Sequence, residues 1–337
     1  MNDMQHAAMD SRRQGSTRRA ALGWGAVGIL TCGASWAQEA YPSRRLEIIV
    51  PFPAGGTADF LGRLIGQKLG EVWGQQVIVS NRPGAAGALG AEAAAQAPAD
   101  GHTLLLTSYT NRKMLFTPEA PVADPARDLV PVALLTKPPL VLLATPSLPV
   151  RSVQELATLA RQRNDLAYAS VGNGTPAHLA MELFRRMAGI PLTHVPYKGS
   201  GQALADVVAG HVPLMFDSVV SSSPHVKAGR LRALAVSSNT RLPSLPEVPT
   251  VAESGIGNFD VSTWAVLYVP AGTPADRITR LGEAVHRILR LPDVAERYAA
   301  QGAPVPPPLS PAQVAAFVRD DVAMWRKLVR EAGIQPE

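Results

Sequence analysis

Between Leu46 and Thr107 the chain alternates between short apolar runs and helix-forming stretches, and this alternation narrows the fold more than any other feature. Leu46 to Phe52 reads as a buried strand. Ala58 to Gly70 places Leu61, Leu64, Ile65, Lys68 and Leu69 on one helical face, with Thr57 as N-cap and Gly70 as stop. "QQVIVSN" is the next strand, "GAAGALGAEAAAQA" an alanine-rich helix with a glycine-lined start, and "ADG" turns into a strand over His102 to Thr107. Strands separated by helices in this way cannot be hairpins. They form a parallel sheet with helical crossovers, an α/β fold.

A second block repeats the pattern. After an irregular stretch at 108–128, strands are expected at Val130 to Leu135 and Leu140 to Ala144, then a helix over Val153 to Gln162 capped by Ser152. "LAYASV" is a strand feeding "GNGTPAHLAMELFRRMAG", where Thr175 is placed as N-cap and Pro176 as first helical residue. "LTHVPY", "VPLMFDS", "LRALAVSS" and "STWAVLYVP" read as strands, with a helix at Gly201 to Gly210. Two helices, Pro274 to Leu289 and Pro311 to Ala332, close the chain around the stiff connector "PVPPPLSP". Two such blocks imply two α/β lobes, linked by long strands near 130–145 and 260–270. If the terminal helices return to the first lobe, that lobe is discontinuous and a ligand lies between lobes.

The first 37 residues stand apart. Arg12, Arg13, Arg18 and Arg19 precede the apolar "AALGWGAVGILTCGA", too short for a comfortable membrane span, and "SWA" ends at Ala37 with small residues suited to cleavage. This is the pattern of an export signal cleaved after Ala37. "STRRAAL" also resembles a twin-arginine signal, and the choice between that route and Sec stays open. Without this segment the chain has four Arg and two Asp fewer, leaving 28 basic and 25 acidic residues and a net charge of +3. The balance is mild and has no basic run, which argues against a nucleic-acid partner. The one cysteine, Cys32, lies within the signal, so the mature chain has no disulfide and no thiol chemistry.

Ligands of open α/β sheets sit beyond the C-terminal ends of the strands. There, "PAGGT" at Pro53 to Thr57 combines glycines, which let backbone N–H groups approach closely, with a helix start that favours an anion. Gly172-Asn173-Gly174-Thr175 and Gly84 to Gly90 repeat the device. Two helix starts, one from each lobe, can converge on a carboxylate or phosphate. Chemistry-bearing motifs are absent: the glycine spacing of "GAAGALG" is wrong for a dinucleotide site, and no P-loop, GxSxG, HExxH or Cys/His cluster occurs. His178 and Glu182 stand four residues apart, the spacing of an ordinary helical contact. His102, His194, His211 and His225 read as isolated structural histidines. Asp217 ends a strand and faces either the cleft or a turn. Trp264 packs either over a ligand or, by default, in the core.

"PFPAGGTAD", "NRPGAAGALGA", "ADGHTLLLTS", "VGNGTPAHLAMELF", "VPYKGSGQALADVVAGHV", "LRALAVSS", "LPEVPTVAESG" and "VPAGTP" occur in this order. Together they resemble the exported substrate-binding proteins of the tripartite tricarboxylate transporter family, the Bug or TctC-like receptors, over essentially the whole mature chain. The resemblance implies a two-lobed type II periplasmic-binding-protein fold, a Venus flytrap without catalysis, cofactor or metal. Its lobes would be 42–137 with 265–337, and 138–264. Such a receptor, a monomer, would hold a small carboxylate in the periplasm and deliver it to membrane permease subunits. A sensor role and, at greater distance, an exported hydrolase or lyase are the alternatives. The residues implied in ligand binding are Phe52, Ala54, Gly55, Gly56 and Asp59 in the first loop, then Gly174, Thr175 and His178 in the second lobe. Ser108, Tyr197, Lys198, Gly199 and Asp217 follow from other bordering segments. Where relatives often carry Asn-Pro, this chain has Asn111-Arg112-Lys113, and Arg112 or Lys113 would add positive charge at the cleft mouth unless both point to solvent.

Overall fold

The computed structural model describes residues 41–107 and 128–331. The export signal, Ser108, Arg112 and Lys113 lie outside the described residues.

Two five-stranded sheets organise the chain. In the first, β1 (Leu46–Val50) lies between β2 (Val77–Asn81) and β3 (Thr103–Thr107), parallel to both, and β10 (Ala265–Pro270) joins β3 to β4 (Leu129–Thr136), antiparallel to each. In the second, β6 (Ala167–Ser170) lies between β7 (Thr193–Pro196) and β8 (Leu214–Ser218), parallel to both. There β5 (Leu140–Ala144) joins β8 to β9 (Arg232–Val236), again antiparallel. The orders β2-β1-β3-β10-β4 and β7-β6-β8-β5-β9 are one topology used twice, and in each the reversed strand is the one that arrives from the other half of the chain. The fold is therefore a two-lobed α/β fold of the type II, Venus-flytrap kind.

Apolar strands explain why both sheets are sandwiched. β5 is buried along its whole length, as are β8 and β10, which is the signature of strands covered on both faces. The helices supplying the cover are α1 (Thr57–Trp73), α2 (Ala88–Ala95), α3 (Val153–Gln162), α4 (Pro176–Ala188), α5 (Ser200–Ala209), α6 (Val219–Lys227), α7 (Ala275–Ile288), α8 (Pro292–Gln301) and α9 (Pro311–Glu331). On α1, a Cβ at Gly62 would stand 3.0 Å from Val50, and one at Gly66 would stand 3.3 Å from Val77. These glycines let the helix lie against the sheet, so α1 is set closer than its leucines alone would allow.

Several boundaries differ from the sequence reading. Gly56, not Thr57, is the N-cap of α1, extended and without a side-chain cap, and Thr57 is the first helical residue. The helix continues past Gly70 to Trp73 and stops at Gly74, which is left-handed at φ 64 and donates its N–H to the Gly70 carbonyl at 2.9 Å. Gly70 belongs to the same glycine stripe as Gly62 and Gly66, which the capping logic mistook for a stop. α6 and α8 were not anticipated. In α6, "SSSP" mimics a turn, yet Ser218 caps Val220 N–H and Ser222 Oγ bonds back to the Ser218 carbonyl. The Ser152 cap on α3 and the Thr175 N-cap with Pro176 on α4 stand as read.

The chain crosses between sheets twice. Residues 137–139 and 261–264 run side by side as a narrow waist: Thr263 N–H donates to the Pro138 carbonyl at 3.0 Å, and Pro139 bridges Ser262 antiparallel. Ser237 ties both crossings to β9. Its Oγ accepts from Leu140 N–H at 2.8 Å and donates to the Val261 carbonyl at 2.6 Å. Helix α9 runs past this waist. Val314, Val318 and Val322 share an apolar cluster with Leu105 and Tyr268 of the first sheet, whereas Trp325 and Val329 share one with Tyr168 of β6 and Phe184 of α4.

Candidate functional site: the interlobe cleft

The C-terminal ends of β1, β6 and β8 all open toward the waist, and each feeds a helix. A cavity forms where these helix starts meet. Its walls are Phe52 and Gly56-Thr57-Ala58-Asp59 from the first lobe, with Val171, Thr175-Pro176-Ala177, Ser200, Asp217 and Ser218 from the second. Leu140, Thr263, Trp264 and Ala265 from the two crossings form its floor, and Ala86 closes one side. The starts of four helices, α1, α4, α5 and α6, thus contribute to one space. The first N–H groups of a helix have no partner within it, and the helix dipole leaves partial positive charge there. Among the described residues lining the cavity none is basic; the donors it offers are hydroxyls and helix-start N–H groups, of which those of Val219 and Val220 on α6 are already taken by the Pro139 carbonyl and Ser218 Oγ.

Of the sequence-predicted residues, Phe52, Gly56, Asp59, Thr175 and Asp217 line this cavity. Ala54, Gly55 and Gly199 meet at a different place, the contact between the lobes. A Cβ on Gly199 would stand 2.8 Å from Pro53, and one on Gly55 would stand 3.5 Å from Gly201. Lys198 is exposed, and Tyr197 turns its hydroxyl to Asp206 on α5. Gly174 and His178 sit behind the cavity wall, where the Gly174 N–H donates to His178 Nδ1 at 3.1 Å. That bond shapes the loop presenting Thr175, whose Oγ1 donates to the Gly172 carbonyl at 2.7 Å. His178 is not a solitary pair with Glu182. It stacks on His194 at 4.2 Å, His194 stacks on Tyr168, and Tyr168 donates to Glu182 at 2.7 Å. His194 is therefore the half-buried member of a stack with His178 and Tyr168 and bonds Ser170 Oγ at 2.7 Å, away from the cavity lining.

The two acidic residues of the cavity have opposite environments. Asp59 is spent on scaffolding: its carboxylate accepts from Gly55 N–H at 3.1 Å, from Asn81 at 3.0 Å and from Arg63 at 2.9 Å. Burial alone would raise its pKa, but these hydrogen bonds and the Arg63 charge outweigh it and hold the carboxyl below the usual range. Asn81 also donates to the Phe52 carbonyl at 3.0 Å, so one cluster fixes the whole Phe52–Asp59 loop. Asp217 is 2% exposed and has only hydroxyl and amide partners, Ser200 Oγ at 2.7 Å, Ser221 Oγ at 2.6 Å and the Ser218 N–H. Burial pushes its pKa up to about 6 against those hydrogen bonds.

The sequence reading placed Thr57 in the anion-favouring loop without counting it as a ligand residue, and it did not name Ala58, Ala177, Ser200, Ser218 or Thr263; all of these line the cavity. The available signal was positional: each stands at or within two residues of a helix start or in the waist. Trp264 is both core and floor. It is 1% exposed, packs beside Phe317 and donates Nε1–H to Asp321 at 2.7 Å.

Comparison with known proteins places this geometry. The model of the tripartite tricarboxylate transporter family receptor matches residues 61–334. The protein BugT of Bordetella pertussis is 37% identical over 88% of this chain and 91% of its own length. A Rhodopseudomonas palustris protein solved with adipate superposes with a TM-score of 0.83 at 36% identity, covering 88% of this chain and 100% of that one. MatC from the same organism, solved with bound malate, gives 0.81 at 34% identity over 86% and 100%. Fold and sequence agree: the chain belongs to the tripartite tricarboxylate transporter family of receptors, solute-binding proteins rather than enzymes.

Proposed function

We propose that this receptor captures a small organic carboxylate in the periplasm, after export and cleavage near Ala37, and presents it as a monomer to the permease subunits of a tripartite tricarboxylate transporter. One observation carries the reading: four helix starts from two lobes open on one cavity that has no described basic side chain. The adipate and malate of the two solved relatives fit a site of that chemistry. Residues 42–137 with 265–337, and 138–264, are the two lobes that move about the waist in this reading. Phe52, Gly56, Asp59, Thr175 and Asp217 border the ligand. Ala54, Gly55, Tyr197, Lys198, Gly199, Gly174 and His178 shape the loops that close on it, and Ser108 extends this set. Closure is selected by contacts that exist only when both lobes meet.

The test is a thermal-shift screen of residues 38–337 against carboxylates, amino acids and neutral analogues. Saturable stabilisation by carboxylates, with the compound recovered unchanged, is expected; at a hundredfold excess over Kd it amounts to about 2.7 kcal/mol. Stabilisation by neutral analogues alone, or consumption of the compound, would overturn it.

A further inference from the structure

The cleft holds a buried carboxyl where it should hold only an anionic ligand. Asp217 ends β8, lines the cavity beside the starts of α5 and α6, and its oxygens face Ser200 and Ser221 rather than any cation. Ser221 is in turn 3.5 Å from Thr57 Oγ1, so this carboxyl also touches the first lobe through one hydroxyl. Asp217 stands where the helix starts favour negative charge. An incoming carboxylate competes for the same potential, and two like charges in one dry site cannot both persist.

We propose that the receptor takes up one proton with each dicarboxylate it binds, and that Asp217 holds that proton. The inference rests on the carboxylate-receptor reading.

Among the described residues, the neighbouring ionisable groups do not supply the missing charge. On α1, Asp59 is neutralised by Arg63. On α4, Glu182 pairs with Arg185, and His178 accepts from the Gly174 backbone. Around α5, Lys198 is exposed, and Asp206 bonds Tyr197 and His211. His225 and Lys227 occupy the far end of α6, and Lys227 bonds the Ala300 carbonyl. On β9, Arg232 is engaged with the carbonyls of Leu148 and Val150. Among the described residues, burial and three hydrogen bonds are what act on the Asp217 carboxyl, with no charged side chain among them.

The sign follows from linkage. Ligand anion raises the Asp217 pKa above its free value of about 6. Below that value the proton is already present and affinity is level. Between the free and bound values each pH unit weakens binding about tenfold, and above the bound value affinity is level again. The experiment is calorimetric titration of residues 38–337 with adipate, malate and the carboxylates that stabilise the chain in the thermal screen. It is run at pH 6.5, 7.5 and 8.5 in buffers of differing ionisation enthalpy, where the ligands' own carboxyls are ionised. Net proton uptake in the wild type, smaller at pH 6.5 where part of the Asp217 population already holds its proton than at pH 7.5, and none in Asp217→Asn with affinity now insensitive to pH, is expected. Binding without proton uptake in the wild type overturns the inference and leaves the receptor reading standing. That measurement needs no variant. Uptake that persists in Asp217→Asn also overturns it, placing the proton on another group such as His178 or His194. Absence of carboxylate binding at every pH overturns the receptor reading, and the inference with it.

Discussion

Gly201, in the first turn of α5, faces the carbonyl oxygen of Ala54 across the cleft so closely that a Cβ at 201 would stand 2.6 Å from it. Backbone meets backbone there with no side chain between, and the neighbouring Gly199 lies against the Pro53 ring, where a Cβ would stand 2.8 Å from it. The two loops can close on a small ligand only because both positions on α5's side are bare.

Gly201→Ala separates closure from folding. Alanine favours a helix over glycine by about 1 kcal/mol, so the unliganded protein should melt at the same temperature or slightly higher. The closed state must absorb a clash with backbone, and ligand affinity should fall tenfold or more, about 1.4 kcal/mol. Calorimetric affinity beside the unliganded melting temperature checks this. A fall in both together would mean the contact serves the fold rather than closure.

Asp59→Ala should loosen the first loop. It strips Gly55 N–H, Asn81 and Arg63 of their shared acceptor. Unsatisfied donors cost about 1–3 kcal/mol, and the lower end applies because the Arg63 side chain is 57% exposed and finds water. The pH dependence has a definite sign. The folded-state pKa of Asp59 is depressed, so its contribution is present above the unfolded value near ~4 and lost as pH falls through the folded value. Acid titration of stability should show Asp59→Asn nearing the wild type below pH ~4 and falling short of it at neutral pH.

Trp264 and Asp321 carry the opposite sign. Burial raises the Asp321 pKa, and neither the indole hydrogen bond nor Lys137 cancels it. Wild-type stability from this group is full below the unfolded value and lost as pH rises through the folded one. Asp321→Asn keeps an acceptor for Trp264 without the charge, so it should equal or exceed the wild type at pH 7 to 8, with the advantage shrinking toward pH 4. Asp321→Leu leaves the indole N–H unpaired and should lose about 1–3 kcal/mol at every pH. Chemical denaturation of the three proteins across pH distinguishes the outcomes.

The α/β alternation, the helix starts at Pro53–Thr57 and Gly172–Pro176, and the two lobes were all legible, because each rests on local pattern: apolar periodicity, proline at the first helical position, glycine where backbone approaches. α8 carried the same signals, Pro292 at its start and Gly302 at its end, and its low apolar content hid them. The reuse of one strand order in both lobes left no sequence repeat, since a sheet asks only for buried residues at alternating or continuous positions. The division of labour within the site was not legible either. Whether a glycine lines the cavity, as Gly56 does, or meets the opposing lobe, as Gly199 does, depends on which sheet its loop faces. The fate of Asp59 and Asp217 likewise depends on partners 22 and 17 residues away along the chain.

The most direct measurement is a crystal structure of residues 38–337 with the carboxylate that stabilises the protein best. Expected is one ligand between the lobes, its carboxylate oxygens about 3 Å, directly or through one ordered water, from backbone N–H groups of Thr57, Ala58 or Ala177 at the starts of α1 and α4. A carboxylate bound outside the cleft, or held there by side-chain cations with those N–H groups left to solvent, would contradict it.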